Sequence, residues 1–311
     1  MSVYTVIERA ELEVFLSDYQ VGTLETFEGI SAGIENTNYF VNTTGGQFVL
    51  TLFEHHTFEE LPYFLNIMAF MAEHNIPTAH PIQTLSNGYL KALKGKPAAL
   101  VQRLKGKGVE NPTDKQCAVM GEQMARFHLA GLDYTSYRAN DRDLVWMQAT
   151  FEQLQQQLNA EDRQQIAQEL AFQQEVDWQG LPQGVIHADL FCDNALFEGD
   201  KLSGIIDLYY ACHAALIYDL AVMVNDWCRQ PDLSFDASKI QIMLSAYQQQ
   251  RPLNEAEKGA WPAALRLAAL RFWLSRLKDQ ILPREGEMTQ IKDPNVFKQV
   301  LSYHQQYAKR L

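Results

Sequence analysis

The segment Val185-Ile186-His187-Ala188-Asp189-Leu190-Phe191-Cys192-Asp193-Asn194, followed by Gly204-Ile205-Ile206-Asp207, concentrates the residues of this chain that could do chemistry. An apolar pair runs into His-x-Asp, an Asn follows five residues after the Asp, and a strand-like stretch ends on a second Asp. Phosphoryl transfer to a hydroxyl needs these parts. One carboxylate orients the hydroxyl and takes its proton, while an Asn and another Asp hold the Mg²⁺ that screens the phosphates. On this pattern Asp189 is the base, and Asn194 and Asp207 are the metal ligands. Two protein oxygens suffice, because Mg²⁺ takes near-octahedral oxygens at about 2.0 to 2.1 Å and fills most positions with phosphate and water. Asp193 would point away from Asn194 in a locally regular segment and is left out of the metal set. Either half of the pattern alone is common in turns; the two together, each led in by apolar residues, form the specific signal.

Such residues need a scaffold, and the chain changes character along its length. Ala10 to Tyr19 reads as a short amphipathic helix. Thr23 to Glu28, Asn38 to Asn42 and Gln47 to Leu52 read as strands, with Thr43-Thr44-Gly45-Gly46 as a hairpin turn. Thr57-Phe58-Glu59-Glu60 has the form of a capping box opening a helix with Leu61, Leu65, Met68 and Met71 on its core face, stopped by Asn75 and Pro77. Tyr89 to Leu93 and Ala98 to Arg103 add two strands, and Gly106 and Gly108 mark a connector. Beyond it the pattern is mostly helical. Thr113 to Gln116 caps a helix running to Gly131, residues 151 to 174 are a Gln-rich stretch with Phe151, Leu154, Leu158, Ile166 and Leu170 at near-helical spacing, Asn254 to Glu257 caps another helix, and Asn295 to Tyr307 forms the last. The expected fold class is α+β, with a small antiparallel-sheet lobe over residues 1–104 and a mostly helical lobe over residues 105–311.

In the sheet lobe, Gly29-Ile30-Ser31-Ala32-Gly33-Ile34-Glu35-Asn36-Thr37-Asn38 joins the first two strands. Small residues there can present backbone N–H groups to phosphate oxygens. Gly29, Ser31, Gly33, Asn36 and Asn38 are therefore the candidate nucleotide contacts, joined by Gln102 near the end of the last strand. One part is missing. The third strand, Phe48-Val49-Leu50-Thr51-Leu52-Phe53, carries Thr51 where protein kinases place a phosphate-pairing Lys.

Composition narrows the field. The chain has 311 residues, 47% of them hydrophobic, enough for a large core in two lobes. Its net charge of −12 argues against a nucleic-acid partner, which would require clustered Lys and Arg. The apolar stretches Ala211 to Val224 and Ala260 to Leu277 are broken by His213 and Asp219 and by Arg266, Arg271 and Arg276, so no membrane partner is expected. The first fifteen residues hold Glu8, Glu11 and Glu13 and no basic apolar leader, and the four cysteines form no C-x-x-C pair, which together suggest a reduced, cytoplasmic setting. The eight histidines show no zinc spacing.

With these residues in view, the chain resembles the aminoglycoside phosphotransferase and choline kinase superfamily, which implies a two-lobed, protein-kinase-like fold. Val185 to Asn194 and Ile205-Ile206-Asp207 are similar to that family's catalytic and metal segments, and Gly121 to His128 to the helix beneath the catalytic loop. Tyr218-Asp219-Leu220-Ala221 resembles its downstream anchor, which implies that His187, His128 and above all Asp219 support the catalytic loop. Other segments resemble the bacterial homoserine kinases within that superfamily: Glu35-Asn36-Thr37-Asn38-Tyr39-Phe40-Val41, Phe48 to Glu54, Asn225-Asp226-Trp227-Cys228, Arg271 to Leu277 and Asp293-Pro294. Thr51 fits that group; Leu208 stands where an aromatic is commoner. The resemblance implies ATP and Mg²⁺ as cofactors and L-homoserine as the small-molecule substrate, phosphorylated on its side-chain hydroxyl on the way to threonine. The substrate's carboxylate would call for Arg271 or Arg276 and its ammonium for Asp193 or Asp226. Spacing alone stops earlier, at a Mg²⁺-dependent kinase of a small hydroxylated molecule, and leaves open choline or aminoglycoside acceptors, a protein substrate, or nucleotide binding without turnover.

Overall fold

The computed structural model describes residues 5–30, 36–283 and 292–311. The chain divides into two compact units, one holding the residues up to Lys105 together with Gly204–Ile206, the other holding Gly106–Ser203 and most of the chain from Asp207 onward.

The first unit is built on a five-stranded antiparallel sheet. Its elements are α1 (Arg9–Leu16), β1 (Leu24–Gly29), β2 (Thr37–Thr43), β3 (Gly46–Leu52), α2 (Leu61–Glu73), β4 (Leu90–Leu93) and β5 (Lys96–Gln102), and the sheet order is β1-β2-β3-β5-β4. Strict alternation in β2 sends Tyr39 and Val41 to one face, where Leu50 and Leu52 of β3 and Leu100 of β5 join them under Leu12, Phe15 and Leu16 of α1. The other face carries the in-register pairs Phe40 with Val49 and Asn38 with Thr51. The expected hairpin forms at Thr43 to Gly46, and its tip is pressed against the preceding chain. Gly45 donates its N–H to the Val21 carbonyl, and a Cβ there would sit 2.5 Å from that oxygen. At the capping box expected for α2, Thr57 N donates to Glu60 Oε2, and the helix itself starts at Leu61 with Pro62 in its first turn. A proline has no N–H for an interior helical bond, so the first turn is where a helix accepts it.

The second unit contains α3 (Asp114–Gly131), α4 (Leu144–Leu154), α5 (Ala160–Gln174), β6 (Gln183–Ile186), β7 (Ala195–Glu198), β9 (Cys212–Ala215), α6 (Ile217–Trp227), α7 (Ala237–Gln250), α8 (Glu255–Ile281) and α9 (Asn295–Tyr307), while β8 (Lys201–Ile205) ends in the Gly204–Ile206 segment. Thr113 and Asn254 make full capping boxes with Gln116 and Glu257, as expected. The Gln-rich stretch is helical, covering the end of α4 and all of α5, and Asn159 caps α5 by accepting from Asp162 N. In the 27-residue α8, Pro262 cannot donate to the Lys258 carbonyl, and Leu311 N takes that acceptor instead at 3.3 Å. Helices α3 and α7 pack along each other, α8 packs on α6 and α9, and β6 pairs with β9. Among the described residues no helix is long and apolar enough to cross a membrane.

Candidate active site

The expected catalytic segment leaves β6 at Ile186 and turns sharply. Ala188 has a φ of 65°, a left-handed conformation that costs a side-chain-bearing residue about 1 to 2 kcal/mol. What holds it there is Asp219 in the first turn of α6. Its carboxylate accepts the His187 N–H at 2.6 Å and the Ala188 N–H at 2.7 Å, and hydrogen bonds to a charged group contribute about 1.5 to 3 kcal/mol each, enough to offset the strain. Two further α6 residues, seven and eight positions on and hence on the same helical face, brace the rest of the loop. Asp226 Oδ2 accepts the Cys192 N–H at 2.8 Å, and Trp227 Nε1 donates to the Leu190 carbonyl at 3.1 Å. His187 is fully buried, and its Nδ1 accepts the Asp189 N–H at 3.3 Å.

Within this frame the loop brings Asp189 and Asn194 into contact. The Asn194 amide nitrogen donates to the Asp189 backbone carbonyl at 2.8 Å and lies 3.4 Å from its Oδ2, so the amide oxygen is the atom it can offer a cation. Asn194 closes a single 3-10 turn, Cys192–Asn194, immediately before β7; Asp207 comes two residues after β8, the partner of β7, at a φ of 64°. Leu208, at the position where an aromatic is commoner in the resembled group, is fully buried at the start of the next 3-10 turn. Among the described residues no group of three or more His, Cys, Asp or Glu could hold a metal by itself. An amide oxygen and a carboxylate nonetheless fit Mg²⁺, which takes hard oxygens and relies on phosphate for the rest.

The two arginines suggested for a substrate carboxylate differ sharply. Arg271 of α8 is 4% exposed, stacks 3.9 Å above the Phe272 ring, and sets Nη1 3.5 Å from Asp189 Oδ1. Arg276, one turn and a half further along, donates to the Asp293 carbonyl at 2.9 Å and covers the Phe297 ring, and burial pulls its guanidinium down to about 10. Of the acids suggested for the ammonium, Asp226 is engaged by the loop backbone, and Asp193 is exposed, 3.3 Å from Lys292 Nζ. Trp227 and Trp273 are core residues.

On the sheet, Gly29 ends β1 opposite Tyr39, and Gln102 ends β5 opposite Phe48 with its N–H on the His80 carbonyl. Ser31 and Gly33 lie outside the described residues. Asn38 Oδ1 accepts the Thr51 hydroxyl at 2.7 Å, and Asn36 Oδ1 accepts the Glu54 N–H at 3.3 Å. Thr51, at the position without its lysine, is thus buried and tied across the ladder to Asn38. Sequence reasoning missed Tyr247, whose hydroxyl meets His128, and Arg251, which bonds to Tyr247 in turn. Their one signal is polarity at helical spacing, four residues apart at the end of α7.

Residues 26–253 match the model of the phosphotransferase enzyme family, and the chain belongs to that family. Over nearly its whole length it is similar to proteins named homoserine kinase: 46% identical to that of Methylobacillus flagellatus, covering 97% of this chain and 95% of the relative, and 40% identical to that of Neisseria meningitidis, covering 97% and 99%. Among solved structures its fold matches an amicoumacin kinase at a TM-score of 0.72 and 13% identity over 96% of this chain and 94% of the other. It also matches a spectinomycin phosphotransferase at 0.71 and 14% over 97% and 99%. The fold is the expected one, a sheet lobe and a helical lobe of the aminoglycoside-phosphotransferase kind.

Proposed function

We propose that the protein transfers the γ-phosphoryl group of ATP to the side-chain hydroxyl of L-homoserine, giving O-phospho-L-homoserine and ADP. The observation that carries this reading is a buried guanidinium, Arg271, beside the loop carboxylate Asp189, in a chain whose full-length relatives are named homoserine kinases. Asp189 orients the acceptor hydroxyl and takes its proton as the oxygen bonds to the γ-phosphorus and the bond to the β,γ-bridging oxygen breaks. Asn194 and Asp207 would hold Mg²⁺, which when bound offsets charge on the phosphates. Arg271 supplies a planar donor pair for the acceptor's carboxylate. Gly29, Asn36, Asn38 and Gln102, with Ser31 and Gly33 in the connecting loop, serve the nucleotide, and backbone N–H groups there take over from the lysine that Thr51 replaces.

The test is Mg²⁺-dependent ADP release with L-homoserine, L-serine, choline and kanamycin as acceptors. Homoserine should give the highest kcat/KM, and Asp189→Asn should lower kcat by about 10² to 10⁴. Arg271→Leu should raise the KM for homoserine by about 10-fold to 100-fold, from the loss of one or two charge-assisted hydrogen bonds. Preference for choline or kanamycin, with Arg271 dispensable, would overturn the assignment of the acceptor.

A further inference from the structure

Asp219 braces the catalytic loop, but it is itself the end of a longer buried chain. His128 of α3 is fully buried, with Nε2 3.2 Å from Asp219 Oδ2 and Nδ1 2.8 Å from the Tyr247 hydroxyl on α7. The Tyr247 oxygen also accepts from Arg251 Nη1 at 3.1 Å. That same Nη1 lies 2.9 Å from Glu257 Oε1, and the other oxygen of Glu257 accepts the Asn254 N–H in the capping box that starts α8. One continuous run of hydrogen bonds therefore leads from the N-terminus of α8 through α7 and α3 to the loop that carries Asp189.

The direction of every proton in this run follows from its two ends. A carboxylate only accepts, so the His128 nitrogen facing Asp219 must carry a hydrogen. Burial keeps the imidazole neutral by lowering its proton affinity, and a neutral ring has one N–H. Nε2 is then the donor and Nδ1 the acceptor, which requires the Tyr247 hydroxyl to donate to Nδ1. At the far end a guanidinium only donates, so the Tyr247 oxygen receives Arg251 and has its hydrogen to give away. The opposite tautomer would set a lone pair of Nε2 against the carboxylate.

The packing of α3 on α7 is what brings the middle of the run together. A Cβ at Gly121 would lie 2.2 Å from the Met243 carbonyl, so only glycine allows the two helices this approach. His128 lies seven residues after Gly121 and Tyr247 four after Met243, so both fall on the faces that meet there.

We infer that Tyr247 and Arg251 are positioning residues for phosphoryl transfer: through His128 they fix one tautomer facing Asp219, and thereby the left-handed turn at Ala188 that aims Asp189. This rests on the reading of Asp189 as the acceptor-activating carboxylate, and the first readout is chosen to be independent of it. In protein labelled with ¹⁵N-histidine and free of substrates, long-range ¹H–¹⁵N correlation spectra, with the His128 signals identified by their absence in His128→Gln, should show the Nε2–H tautomer. Tyr247→Phe takes the donor from Nδ1 and leaves Asp219 as the sole support of that tautomer, so the other form should become detectable beside it. A wild-type His128 found as Nδ1–H or as imidazolium would overturn the proposal whether or not any acceptor is turned over. The second readout is kinetic. With the acceptor that gives turnover, Tyr247→Phe should lower kcat by about 10-fold to 100-fold while both KM values change by less than about threefold, the signature of misplacement rather than lost binding. Arg251→Lys, which keeps a cationic donor, should recover most of the kcat lost in Arg251→Met. A folded Tyr247→Phe with wild-type kcat and an unchanged His128 tautomer, or equal kcat in the two Arg251 variants, would overturn it as well.

Discussion

The polar residues of the sheet unit and those of the helical unit are held in different ways. On the sheet, Thr51 and Asn38 are cross-strand partners in register, so the backbone ladder places them before their side chains bond. Glu54, two residues past β3, is held by several partners at once: its carboxylate accepts from Thr37 at 2.6 Å and Thr5 at 2.9 Å, pairs with Lys96, and is held below the usual range by those partners against a burial effect that acts the other way. In the helical unit the loop that carries Asp189 has no ladder to hold it beyond Ile186. Its turn at Ala188 is strained, and side chains from α6, themselves propped from α3 and α7, keep it in place. The sheet unit thus fixes polar groups with backbone and tolerates the loss of one. The helical unit fixes backbone with polar groups, and the loss of one should release the loop.

The sharpest way to break this contrast is Asp219→Ala. It strands two loop N–H groups and the His128 Nε2 donor in a buried site, and removing one partner of a buried charged network typically costs about 3 to 5 kcal/mol. The urea midpoint should fall accordingly, and kcat in surviving protein should drop by at least about 10² through misplacement of Asp189. A midpoint and kcat near wild type would remove the contrast.

Acid should probe the same asymmetry more gently. The buried histidines among the described residues, His128, His187 and His304, all belong to the helical unit. Burial lowers His304 to about 3 and lowers His128 as well. The unfolded chain takes up protons near pH 6.5 while the folded chain does not, so stability is complete above that pH and is lost progressively as pH falls toward 3. His304 alone should contribute a loss of about 1.4 kcal/mol per pH unit below 6.5, or about 2 kcal/mol at pH 5. Thermal melts at pH 7 and pH 5 should therefore differ less in His304→Gln, whose amide can keep the bond to Asn225 Oδ1, than in wild type. An equal acid shift in the two proteins would show that the buried imidazole is not what acid acts on.

The smallest effect should come from the sheet. Thr51→Val removes one cross-strand hydroxyl bond and should cost about 1 kcal/mol, with the KM for ATP changed by less than about threefold. A larger loss of nucleotide affinity would mean that the Thr51 hydroxyl does more than steady Asn38.

Much of the fold was legible because its signals are local. Alternation marked β2 and β3, capping residues marked α3 and α8, and α9 occupies Asn295–Tyr307, the span its pattern suggested. A boundary drifted where one residue overrode a pattern, as Pro62 did at the start of α2. The candidate site divides in the same way. Asp189 and Asn194 are five residues apart, and a single turn is enough to bring them into contact, so chain order alone sets their relation. The choice between Arg271 and Arg276 could not be read from order, because both sit on one apolar helix and only the packing of α8 sets one against Asp189 and the other against Asp293. The run from Arg251 to the loop was hidden for the same reason. His128 and Tyr247 are 119 residues apart and His128 and Asp219 91 apart, and nothing in the sequence states that their helices touch. Short-range geometry is dictated by covalent connection and local propensity, so the residues of the loop and their spacing were settled by the sequence itself. Which distant side chains face that loop depends on how whole helices pack, down to the absence of one Cβ at Gly121, and that only the tertiary structure decides.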